Sequence, residues 1–197
     1  MSRLVALREI RGQEVAHLQS RLRRGLAGFA NEGYAIVKRD EWVAVPDDSG
    51  GHIGPDSHRF LRALRDHGDA TFFAIPVDLD INPPVPAYEV PANALCISEI
   101  DRITSPFSYA FFSGKPDWYV LSTVNDFIVI CGPPDFVQTY TGRTIDKVFA
   151  DFHSLALHYG QKGKYGEAIK RRLLFVYRQL KEVYPLASDG DVIQLDP

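Results

Sequence analysis

Sulfur is scarce in this chain, which has two cysteines and one methionine among 197 residues. Cys96 and Cys131 stand far apart in apolar surroundings, so a disulfide framework is not expected and a reducing, cytoplasmic setting is. Long apolar runs are missing too. No stretch approaches the roughly 20 residues a membrane-spanning helix needs. The apolar patch in MSRLVALREI is too short for a secretory core before Arg8 and Glu9 interrupt it. No membrane role is therefore expected.

The common catalytic signatures are lacking as well. G-x-S-x-G, H-E-x-x-H, C-x-x-C and G-x-G-x-x-G do not occur, which lowers the weight of several enzyme classes. GQKGKYG around Gly163-Lys164 is not a P-loop. That motif needs glycine where His158 stands and Ser or Thr where Tyr165 stands. His153 and His158 lie five apart on a predicted helix, roughly 140° around its axis, so they cannot clamp one ion together. No cofactor is expected, and catalysis is not the leading expectation.

What is present describes an ordinary core. Hydrophobic residues make up 45% of the chain and charged residues 24%, a globular composition. A chain of this length reads as one domain, 1–197, burying roughly 70% of its unfolded surface. The net charge of −3 hides a segregation. Residues 1–39 carry eight Lys/Arg against three acids, and 160–181 carry seven against Glu167 alone. The middle, 40–159, holds seventeen acids and seven bases. Two basic terminal helices could present a surface to an anionic partner. The preferred reading is that they neutralise an acidic sheet region. Neither cluster is long or aromatic-interleaved enough to favour nucleic acid.

The clearest architectural signal is DWYVLSTVNDFIVICGPPDFVQTYTG, Asp117 to Gly142. Trp118–Thr123 and Phe127–Cys131 are rich in β-branched and aromatic residues, and Asn125-Asp126 supplies a turn pair. Phe127 and Val129 face one way and Ile128 and Ile130 the other, so this hairpin, 118–131, belongs inside a sheet covered on both faces. Tyr34–Lys38 and Glu41–Val45 form a second hairpin candidate. Asp69–Val77 reads as another strand. NPPVPAYEVP, 82–91, should be an extended connector or an edge segment. Ala92–Phe112 fits a helical turn or an irregular strand, with Pro106 stopping either.

Helical periodicity marks the rest. Val15, Leu18, Leu22, Leu26 and Phe29 stripe a helix over Gln13–Ala30, and Pro55–His67 suits a short helix ended by Gly68. Ile145 to Tyr159 carries an apolar stripe capped by Thr144 and terminated at Gly160. Tyr165, Ile169, Leu173, Val176, Leu180 and Val183 form another, broken by Pro185. Hairpins with flanking helices predict an α+β domain with a mainly antiparallel sheet, the hairpin at its centre and the closing helices packed across it.

Two groups of residues are candidate sites. DDSGGHIGPDSHRFLR, Asp47–Arg62, feeds a helix N-terminus, where free N–H groups attract anions. Its glycines allow close backbone approach, and His52, His58, Arg59 and Arg62 could hold a phosphate or carboxylate. Alternatively Asp47, Asp48 and Asp56 could join a histidine around a divalent cation. The aromatics Tyr109, Phe111 and Phe112 form the candidate interaction surface, because adjacent Phe111 and Phe112 cannot both point inward on one covered face. Cys131 would need a base such as His153 to act as a nucleophile, and packing is the preferred explanation of it. The resulting expectation is a non-catalytic binding protein, of inhibitor, immunity or accessory type, acting on a protein partner or on a second copy of itself. A small-ligand protein or enzyme using 47–62 is the alternative.

Overall fold

Strands dense in β-branched and aromatic residues need both faces covered, and that requirement organises the whole molecule. The computed structural model describes residues 7–25, 41–48, 53, 57–77, 86–115, 117–122, 127–161 and 163–183. In chain order, β1 (Arg8–Ile10) precedes α1 (Gln13–Gly25), and β2 (Val43–Asp47) precedes α2 (Ser57–Asp66). Next come β3 (Thr71–Pro76), β4 (Ala87–Pro91), α3 (Ala94–Thr104), β5 (Tyr109–Ser113), β6 (Tyr119–Ser122) and β7 (Ile128–Gly132). Helices α4 (Pro134–Thr141), α5 (Ile145–Gly160) and α6 (Gly163–Val183) close the chain.

The strands form one antiparallel sheet in the order β1-β4-β3-β5-β6-β7-β2. The protein is a single α+β domain. The hairpin strands β6 and β7 are interior, each paired on both sides, while β5 is the geometric middle. Its turn residues, Asn125 and Asp126, lie outside the described residues.

Register explains why two neighbouring phenylalanines are both hidden. Ala74, Phe111, Val120, Ile130 and Val45 form one row across the sheet on one face. Phe73, Phe112, Tyr119, Cys131 and Ala44 form the adjacent row on the other face. Phe111 is 0% exposed and Phe112 1%. The first face receives α2 and α4 through a cluster of rings around Phe60, which meets Phe72, Trp118 and Tyr140 edge-on. On the second face, Phe73, Phe112, Tyr119 and Trp42 follow one another at ring-centroid distances of 5.8, 5.6 and 5.8 Å.

The two sheet edges are protected differently. The β1 edge is short, and its Arg8 pairs with both Glu89 and Glu14. The β2 edge is buried under α4, α5 and α6. The closing helices pack mainly over β2 and also reach the hairpin, where Phe152 of α5 meets Phe127 edge-on at 5.7 Å, and Pro46 is tolerated because it sits on the β2 edge. Between them, Phe149 meets Tyr177 edge-on at 5.7 Å.

Helix boundaries follow local chemistry. Thr144 accepts a hydrogen bond from the Lys147 N–H at 3.4 Å and caps α5. Gly160 belongs to α5 instead of terminating it, since Gln161 is the cap residue. Gly142, at φ 66°, closes α4 in the left-handed conformation that glycine adopts without penalty. Asn93 caps α3 through the Cys96 N–H, resolving the ambiguous 92–112 stretch into a helix followed by a strand. From the proline-rich stretch, Ala87–Pro91 becomes β4, hydrogen-bonded on both sides to β1 and β3, so this part is neither connector nor edge. Its prolines do not prevent pairing, because Pro86 precedes the strand and Pro91 is its last residue. Leu26 and Phe29 of the first helical stripe, and the strand candidate Tyr34–Lys38, lie outside the described residues. Residues 43–47 pair with β7.

Candidate functional site

Within 47–62, the described residues Asp47, Ile53 and Arg59 are engaged by the fold. Asp47 ends β2 at 2% exposure and accepts a hydrogen bond from the Arg143 guanidinium. Arg143 also donates to Asp151 at 3.1 Å, and Lys147 reaches the same carboxylate at 2.7 Å. This chain of charges ties the edge strand to the α4–α5 turn and the first turns of α5. The cations hold the Asp151 carboxyl below its usual range, Lys147 contributing most. Ile53 is fully buried, and its N–H donates to Asp101 of α3 at 2.8 Å.

Of the four residues proposed for an anion, His58, Arg59 and Arg62 lie on the first turns of α2, and Arg59 is directed away from the other two. His52 lies outside the described residues. His58 is exposed, and Arg62 pairs with Asp66 at 3.6 Å. Arg59 turns the other way, donating to the Thr141 carbonyl at 3.0 Å beside Gly142. It satisfies a carbonyl at the C-terminal end of α4, where a cation is favoured by the helix dipole.

The three aromatics proposed as a contact surface are corrected by burial. Tyr109, Phe111 and Phe112 are 0, 0 and 1% exposed. The expectation assumed that one side of the strand would be open, whereas rings from neighbouring strands and helices close both. The Tyr109 hydroxyl donates inward to the Pro86 carbonyl at 2.7 Å.

Two further polar groupings were not anticipated. At one end of the sheet the Trp118 indole N–H donates to Asp69 at 2.7 Å, and His67 approaches Asp117 at 3.9 Å. Burial raises the Asp69 carboxyl, opposed by the Trp118 hydrogen bond and the nearby His67. The arrangement joins the α2–β3 connection to the β5–β6 turn. Its sequence trace, His67-Gly68-Asp69, resembles any helix exit. Among the described residues, no three of His, Cys, Asp and Glu are grouped to hold a metal ion.

Cys131 is buried in the second-face row, and desolvation pushes its thiol far above the ordinary range, the opposite of nucleophilic activation. His153 does not serve it. That imidazole packs on Tyr177 at 5.1 Å, and its Nε2 has no hydrogen-bond partner. Desolvation, with Lys181 nearby, lowers its pKa.

Large apolar side chains do reach solvent elsewhere. Tyr165 is 82% exposed and Phe175 46%, both on α6, and Leu157 on α5 and Leu95 on α3 are also exposed. Lys164, Arg171 and Arg178 share the solvent side of α6. The buried stripe, including Leu173, Val176, Tyr177 and Leu180, faces the core. The periodicity of that stripe indicated which side of α6 would be covered. Tyr165 falls in register with that stripe yet lies in the first turn of α6, ahead of the packed part, and Phe175 lies off the stripe, so periodicity alone does not single out either as exposed.

No described helix is long and apolar enough to cross a membrane. No family model matches the chain, and neither a curated protein nor a solved structure matches it.

Proposed function

We propose that this chain is a non-catalytic interaction protein acting on a protein partner. The observation that carries the reading is the outward placement of Tyr165 and Phe175 on a helix whose opposite face is already packed. Solvent-facing aromatics contribute little to the fold, and aromatic anchors are enriched where one protein binds another. The ionisable groups support the same reading. Asp47, Arg59, Arg143 and Asp151 are engaged in contacts that join strands and helices, and burial depresses the reactivity of Cys131.

The test is cross-linking affinity capture from the native cell, followed by reconstitution of the complex from purified components. A defined complex of one partner with this chain is the expected result. Self-association gives instead a concentration-dependent dimer in sedimentation. Failure to retain any protein, together with a thermal shift by phosphorylated ligands or metals that His58→Ala and Arg62→Ala abolish, refutes the reading in favour of a ligand site.

A further inference from the structure

The solvent side of α6 has a regular order. Lys164, Ala168, Arg171, Phe175 and Arg178 are all exposed, and they follow one another at steps of four, three, four and three residues. That alternation places them in one line along a helix and is the spacing of a helix-pairing seam. The apolar positions are Ala168 and Phe175, and the basic positions are Lys164, Arg171 and Arg178. Each set repeats every seventh residue, about 10.5 Å along the axis. Among the described residues Lys164 and Arg178 have no ion pair, and Arg171 reaches only Glu167, at 4.0 Å. The other side of α6 packs on α5 through Phe149–Tyr177 and related contacts. The seam is therefore an exposed, mixed basic and apolar face of α6 on which no described helix packs.

Resting on the interaction-protein reading above, we infer that the Lys164–Arg178 seam receives an acidic amphipathic helix of the partner protein. Carboxylates at every seventh position of the incoming helix meet the three cations. An apolar side chain four residues on from each covers Ala168 and Phe175, as in helix-in-groove recognition. Charge complementarity selects this occupant over others. A second copy pairing through the same face sets three cations against three. Duplex DNA carries a charge about every 3.4 Å along each strand, so cations about 10.5 Å apart neutralise few phosphates. A membrane surface calls for a broad apolar face, and this seam has one aromatic and one alanine.

The experiment uses the full chain and a fluorescein-labelled 21-residue helical peptide carrying glutamate at every seventh position and leucine four residues after each. Anisotropy titrations should show salt-sensitive binding. Arg171→Glu with Arg178→Glu should weaken it by about ten-fold or more, and Phe175→Ala by several-fold. A peptide with lysine for glutamate should bind the doubly reversed chain and not the parent, a recovery that misfolding cannot produce. Absence of peptide binding, or binding unchanged by the charge reversal, overturns the inference. So does exclusive binding to a 20-base-pair duplex or to phosphatidylserine vesicles, which would assign the seam to phosphate. If a partner is captured from the cell yet its affinity is indifferent to these substitutions, the seam is wrong while the interaction-protein reading stands.

Discussion

Replacing Phe60 with alanine should unsettle the protein more than other single truncations on α2. The ring is 0% exposed and lies 5.3 Å from Phe72, 5.7 Å from Trp118 and 5.2 Å from Tyr140, at 69°, 85° and 82°. It therefore joins α2, β3, the residue preceding β6 and α4 at one point. A buried phenylalanine truncated to alanine costs about 3–5 kcal/mol. Each edge-on ring pair is worth about 0.5–1.5 kcal/mol beyond area burial, which puts Phe60→Ala near the top of that range, at about 4–5 kcal/mol. Domains of this size lose about 2–4 °C in Tm per kcal/mol, so the expected drop is about 8–20 °C. Phe60→Leu keeps most of the apolar volume but none of the ring edges, and should cost about 1.5–3 kcal/mol, less than the alanine. Thermal and urea unfolding followed by circular dichroism and tryptophan fluorescence would measure both, since Trp118 touches the altered site. Leu95→Ala, at a position 62% exposed, serves as control and should stay within about 0.5 kcal/mol. A Phe60→Ala variant within about 3 °C of the parent, or a Phe60→Leu variant falling equally far, would refute the ring-cluster account.

Arg143→Met should cost about 2–4 kcal/mol, somewhat less than breaking a fully buried pair, because the side chain is 25% exposed while Asp47 is 3%. A double-mutant cycle with Asp47→Asn should give a coupling of at least about 1 kcal/mol, and strict additivity would show that the contact is incidental. Asp69→Asn should flatten the acid side of the stability profile. A carboxyl raised in the folded state keeps its proton longer there than in the unfolded chain, so stability falls as pH rises from about 4 through the folded value. Asparagine keeps an acceptor for the Trp118 indole without the buried charge. The variant should therefore gain on the parent above that window, and parallel Tm-versus-pH curves would contradict the burial account.

Local order was legible in the residues themselves. The 118–131 hairpin, the helical stripes 145–159 and 165–183 and the Thr144 cap depend on side chains close in sequence, so periodicity and capping chemistry specified them directly, apart from the helix end at Gly160. The fate of Phe111 and Phe112 did not follow from that information. Adjacent strand residues always point to opposite faces, but only the packing of distant segments determines whether each face is covered. The same holds for Arg59, whose partner Thr141 lies 82 residues away, and for Asp47, which meets Arg143 across 96. As a result Arg59 and Asp47 became braces between elements, and the exposed aromatics were found on α6 instead of β5. Alternation and helical period are properties of a short stretch of chain and can be read from it. Which face stays open to a partner is a property of the whole surface, settled only when remote segments compete to bury apolar area.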